Sequence, residues 1–178
     1  MRKYKLTNEK KTLADGTVLH RIRALRDIPM FDVKAGERGG FVEGENNLSQ
    51  DCDAWVSGDA CVSGNACVCG NAKVSGEAWV SGEALVSGNA RVSGEAKVYD
   101  KADYMTFKNS WSSGRWFTYT RSNKKWTVGC FYGTGEELIK KAYNDSELSG
   151  RCYEAIVRAV ETIEAAKAEA EGETNGRK

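Results

Sequence analysis

Valine returns at every sixth position through the middle of the chain, at Val56, Val62, Val68, Val74, Val80, Val86, Val92 and Val98. Alanine keeps the same step from Ala54 to Ala102, and glycine from Gly58 to Gly94. A step of six matches neither the ~3.6 of a helix nor plain strand alternation. It matches a short strand followed by a sharp corner. Valine then points inward at the strand centre, and its neighbours point outward. Glycine turns the corner, where other residues would be strained. Alanine fills the cramped inside of that corner, which a larger side chain would overpack. Three such words close a triangular coil of 18 residues, and stacked coils lie about 4.8 Å apart through parallel strand bonding.

The fixed letters build the core, so the letter before each valine writes the surface. Residues 18 apart stack on one flat side. Trp55, Lys73 and Arg91 form one column, with Lys73 near the Trp55 ring. Cys61, Trp79 and Lys97 form the second, and Cys67, Leu85 and Asp103 the third. One corner carries Asp59, Glu77 and Glu95, and another stacks Asn71 on Asn89. Upstream, Val42 and Leu48 keep the step of six, whereas Val56 falls eight residues after Leu48. That gap implies a two-residue insertion in an irregular first coil. Three to four coils are expected over residues 36–103.

Residues 1–35 alternate through "YKLT", an "ADG" turn and "TVLHRIRAL". They read as a β-hairpin or short meander that caps one end of the coil, where backbone groups would otherwise stay unpaired. Residues 104–133 are rich in aromatics and read as a hairpin, with strands near 115–120 and 126–131 joined by the polar "RSNKK" turn. Thr134 with Glu137 is a capping-box pattern that opens two helices over 134–172. In the second helix Cys152, Ile156, Val160 and Ile163 fall on one stripe. Residues 173–178 read as a disordered tail.

Eight valine words in phase resemble the hexapeptide repeat of left-handed parallel β-helix proteins. The left hand is taken from that resemblance, because the usual crossover is right-handed. The fold expected is therefore mainly β, a left-handed parallel β-helix with an N-terminal β-hairpin cap and a C-terminal β-hairpin plus two α-helices. The longer order of hairpin, "GERGGFVEGENNLSQD", valine words and "GCFYGTGEEL" is similar to a group of phage and prophage proteins. Members are often described only as hexapeptide-repeat or polymer-forming proteins. The resemblance implies a viral accessory role, such as interference with a bacterial defence. This chain departs from it by using Ser where tyrosine is common, Tyr99 excepted.

Bulk properties narrow the picture. The 26 basic and 25 acidic residues of the 178 leave a net charge of +1, which gives no strong field for nucleic acid or an anionic membrane. No apolar run reaches the ~18 residues of a membrane span, and "MRKYKLTNEKK" lacks a signal-peptide core, so a cytoplasmic location is expected. The six cysteines then read as thiols.

Candidate chemistry has four strands. Acyl transfer on this kind of scaffold needs a general base, and His20 is the sole histidine, sitting in a predicted flanking strand. Its plainer reading is a hairpin pairing residue. Cys52, Cys61, Cys67 and Cys69 are dense, but the coil geometry puts Cys61 and Cys67 on different sides, so no metal site is expected. The acidic corner reads as a solvated edge balanced by Lys73 and Arg91. The aromatic segment offers Trp111, Arg115, Trp116, Arg121, Lys124 and Lys125 as a surface for a partner or nucleotide, against the plainer reading of its rings as core. Outward Trp55, Trp79 and Leu85 suit contact between copies, as a dimer or trimer. The leading expectation is a non-catalytic accessory protein without a cofactor, an oligomeric scaffold that binds or sequesters a host defence protein or its nucleotide second messenger. The alternative is an acyltransferase with His20 as base.

Overall fold

The computed structural model describes residues 2–175, with side chains through 171. The chain divides into two compact units, Met1–Tyr132 and Gly133–Lys178.

In the first unit, β1 (Tyr4–Thr12) and β2 (Val18–Ala24) form a hairpin, and β3 (Arg38–Val42) runs antiparallel to β2. Eight two-residue strands then repeat the valine word. These are β4 (Trp55–Val56), β5 (Cys61–Val62), β6 (Cys67–Val68), β7 (Lys73–Val74), β8 (Trp79–Val80), β9 (Leu85–Val86), β10 (Arg91–Val92) and β11 (Lys97–Val98). They stack in parallel with partners 18 residues apart, as in Cys61↔Trp79↔Lys97 and Trp55↔Lys73↔Arg91. The result is a β-solenoid of about three turns. In its first turn Phe41 pairs with Cys61 and Leu48 with Val68, a step of 20, before Trp55↔Lys73 returns to 18. The two extra residues therefore lie between Leu48 and Trp55, as the interrupted valine spacing indicates.

All eight valines are fully buried, and the alanines from Ala54 to Ala96 are at most 1% exposed. Each buried valine contributes about 1.5–3 kcal/mol of apolar burial. The corners are tight as well as left-handed. Gly76 has φ +70°, and a Cβ there would stand 2.9 Å from the Gly94 amide nitrogen of the next turn. The repeat stops where the corner residue changes. At Asp100, in the glycine slot, the backbone is extended (φ −139°) and a short 3-10 turn over Lys101–Asp103 follows. Ala102 is consequently exposed rather than core, and Asp103 does not extend the Cys67–Leu85 column. Its carboxylate instead accepts the amides of Tyr99 and Asp100.

Flanking side chains stand in for the missing turn at each end. At the start, buried Lys3 donates to the Ala54 carbonyl at 2.6 Å, and the Tyr4 hydroxyl to Leu48 O at 2.8 Å. At the finish, the Tyr104 hydroxyl accepts the Ser87 amide and donates to Leu85 O, as a neighbouring strand would. Thr118 Oγ1 accepts the Arg91 amide at 2.9 Å, and Ser122 Oγ that of Lys97 at 2.7 Å. An open sheet edge is thus covered without another strand. The N-terminal hairpin is more than a lid. Its strands continue one side of the solenoid into a six-stranded sheet of order β1-β2-β3-β5-β8-β11.

The aromatic segment forms four strands where the spacing predicts two: β12 (Tyr104–Lys108), β13 (Trp116–Thr120), β14 (Lys125–Val128) and β15 (Phe131–Gly133). Tyr104, Thr118 and Thr127 face the solenoid, Thr127 through Ser93 at 2.9 Å. Phe107, Phe117, Tyr119 and Trp126 pack together on the alternate positions.

In the second unit, α1 (Gly135–Asp145) begins at a Thr134–Glu137 capping box and pairs with α2 (Glu147–Asn175). Leu138, Ile139, Ala142, Val157 and Val160 are buried, whereas Ile163 is 41% exposed. The buried stripe of α2 thus runs through Val157 instead of reaching Ile163. Of the tail expected at 173–178, the backbone of 173–175 is helical and the rest lies outside the described residues. No helix among the described residues is long and apolar enough to cross a membrane.

Candidate functional site

Strand alternation places Leu19 of β2, Phe41 of β3, Cys61 of β5 and Trp79 of β8 on the outer side of the six-stranded sheet, away from the valine core. Leu19, Phe41 and Cys61 form a small second apolar cluster there, with Leu13 and Trp79 packed against it. Lys97 follows Trp79 in register. Tight packing of β3 on the first turn fixes this arrangement, because a Cβ at Gly40 would stand 2.7 Å from Ala60 O.

Charged groups rim the cluster. The Arg21 guanidinium lies 4.1 Å from the Phe41 ring centroid and Lys11 Nζ lies 5.5 Å from it. Arg21 also donates to Glu9, Asp59, Gly39 O and Gly58 O, so the hairpin is clamped to the solenoid by one side chain. Lys11 Nζ donates to Cys61 Sγ at 3.4 Å, and that thiol donates to Asp59 O. Between these groups lies a cleft of about 530 Å³ lined by Lys11, Phe41, Asp59, Cys61, Glu77 and Trp79. Its volume is in the range of small-ligand and side-chain pockets.

The residues expected to act divide sharply. The spacing predicts an outward Trp55, but it is 1% exposed, because the chain around Ile28, Phe31 and Val33 joins the core over its side of the solenoid. Lys73, the register partner of Trp55, sits over the Phe31 ring at 5.4 Å, and Arg91 over the same ring at 5.2 Å, and among the described residues neither forms an ion pair with the acidic corner. Burial, followed by the nearby Arg91 charge, lowers the Lys73 pKa. Arg21 is the cation that reaches Asp59. Leu85 is half-buried on another side of the solenoid. Trp79, also half-buried, is the member of that trio that lines a described cleft.

The six candidates in the aromatic sheet do not converge. Trp116 begins β13 next to exposed Trp111 and Arg115, while Arg121, Lys124 and Lys125 surround the turn at its other end. A five-residue strand separates the groups by about 13 Å. Trp111 leans on Phe117 at 6.4 Å, and Lys124 occupies a left-handed turn position at φ 53°.

His20 Nδ1 lies 3.2 Å from Thr7 O inside the hairpin, and the imidazole lines neither described cleft. Among the described residues no group of three or more His, Cys, Asp or Glu is arranged to hold a metal ion. Burial and the neighbouring Cys67 and Cys52 charges push the Cys69 thiol up. For Cys52 burial also acts upward, but hydrogen bonds from Ser49 and the Ala54 amide, with the Lys3 charge, leave it below its usual value.

Sequence reasoning misses Phe41, Arg21 and Lys11. Phe41 carries a signal, because it precedes an inward valine just as Cys61 and Trp79 do. Arg21 and Lys11 carry none, since their place depends on the hairpin docking edgewise. No family model matches the chain, and no curated protein matches it.

Proposed function

We propose that this chain is a non-catalytic binding protein, a rigid solenoid that holds a protein partner against the Trp79 side of its six-stranded sheet. One observation carries the reading. A half-buried tryptophan packs against an apolar cluster on the outer side of the sheet, ringed by Lys11, Arg21, Asp59 and Glu77. An apolar centre with a charged rim is the anatomy of a protein contact. A nucleotide fits this side less well, because Arg21 is already committed to two carboxylates and two carbonyls. The phage-type resemblance of the sequence supports a host defence protein as that partner, a left-handed hexapeptide winding, a cytoplasmic site of action and assembly as a homo-oligomer. The acyltransferase reading has less support, since His20 faces a carbonyl of its own hairpin.

The test is photo-crosslinking from a reactive residue at Glu77, in bacteria carrying defined defence systems, beside a phage-protection assay. A crosslink to one identified defence protein, lost together with protection in Trp79→Ser, is the expected result. A crosslink only to a second copy of the chain, or unchanged protection by Trp79→Ser, overturns the reading.

A further inference from the structure

A different part of the hairpin carries a row of cations short of carboxylate partners. Lys5 of β1 stands directly opposite Arg23 of β2, and Arg23 directly opposite Arg38 of β3. Paired residues share a side of the sheet, so three positive charges form a row across three strands. Like charges in directly opposed positions work against strand pairing. Among the described residues the one carboxylate bound to the row is Glu9, which lies 3.6 Å from Arg38 and is shared with Arg21 at 2.7 Å. Neither Lys5 nor Arg23 has a carboxylate within ion-pair distance among the described residues.

The backbone opens beside this row. Between Leu6↔Ile22 and Lys10↔His20 the β1 strand carries two more residues than β2. A bulge of this kind re-aims side chains and is often found beside binding sites. It creates a cleft of about 420 Å³ lined by Lys5, Leu6, Thr7, Asn8 and Arg23. Thr7 Oγ1 accepts the Glu9 amide, which leaves the hydroxyl proton able to donate into the cleft. His20 holds Thr7 O from behind and so steadies the bulge.

We infer that this cleft binds the phosphoryl group of a small phosphomonoester. Side chains on adjacent strands are about 5 Å apart, a span that one tetrahedral oxyanion bridges while accepting from both cations. Thr7 and Asn8 supply neutral donors, and Leu6 an apolar wall for the organic part. The volume exceeds what inorganic phosphate alone would fill. This site is separate from the Trp79 cleft and does not depend on the function proposed for it.

The experiment uses the full chain, with glycerol phosphate, phenyl phosphate and inorganic phosphate as probes, followed by calorimetry and backbone-amide NMR. Saturable binding of a phosphomonoester is expected, tighter than inorganic phosphate, with shifts centred on Lys5, Thr7, Asn8 and Arg23. Lys5→Gln and Arg23→Gln should each weaken it more than about tenfold, while Lys10→Gln on the same strand leaves it unchanged. If Arg23→Gln fails to fold, the wild-type shift map and Lys5→Gln still decide. No binding at about 10 mM probe, or equal binding by the variants, overturns the inference. Tight binding of a short RNA or DNA duplex that phosphomonoesters do not displace overturns it in favour of a nucleic-acid surface.

Discussion

The ammonium of Lys3 donates to the Ala54 carbonyl at 2.6 Å with its whole side chain buried. Burial pulls its pKa from 10.5 to about 8. The folded state therefore holds fewer protons than the unfolded chain between about pH 8 and 10.5, and stability rises with pH in that window. The lowered Cys52 thiol and Lys73 ammonium act in the same direction, and the raised Cys69 thiol acts against them. Tyr4, whose hydroxyl burial holds above its usual value, reverses the trend once pH exceeds 10. The unfolding free energy from urea titrations should climb from pH 7.5 to 9.5 by no more than about 3 kcal/mol, and the climb should shrink in Lys3→Met.

Tyr104→Phe removes one hydroxyl that serves two backbone groups of the last turn. The loss should cost about 1–3 kcal/mol, because Ser87 N–H and Leu85 C=O lose their partner together. Hydrogen exchange gives the sharper check. The Ser87 amide should exchange faster, while the Arg91 amide, held by Thr118, keeps its protection.

Two corner glycines with similar backbone angles should respond differently to alanine. Gly88 has φ +65°, and among the described residues no atom beyond its own chain neighbours lies within 4 Å of where its Cβ would stand. At Gly76 the added carbon meets the Gly94 backbone at 2.9 Å. Gly88→Ala should cost the left-handed penalty alone, about 1–2 kcal/mol. Gly76→Ala should cost more, and thermal unfolding of the two variants measures the difference.

Phe31 packs against the core cluster that holds Trp55 and presents its ring to two cations. Phe31→Ala should remove the ring that Lys73 and Arg91 both face and should destabilise by about 2–3 kcal/mol. Quencher access to tryptophan should increase as Trp55 loses cover. Unchanged quenching would show that Ile28 and Val33 suffice as the lid.

The solenoid was legible because its rule is local and repeated. A valine that must point inward fixes its neighbours outward, and the eight-residue gap before Val56 located the insertion. The outer surface was less legible, since the free letter faces whatever docks on it. Trp55 and Trp79 occupy equivalent slots, yet one is covered by the segment around Phe31 and the other is not. Nothing within the valine word distinguishes them. The aromatic segment failed for a related reason. Its exposed cations and rings carry no distances in the sequence, and β13 puts them at opposite ends of one strand.

The C-terminal closure bonds the last turn through Tyr104, Thr118 and Ser122, and the interior turns meet each other through one register of 18. A duplication of 18 residues within the valine words would therefore lengthen the prism while every outer column kept its alignment. A duplication of one six-residue word between Trp55 and Arg91 would rotate everything downstream by a third of a circuit, and Trp55, Lys73 and Arg91 would no longer share one column. Lineages of this architecture are expected to change length in whole circuits.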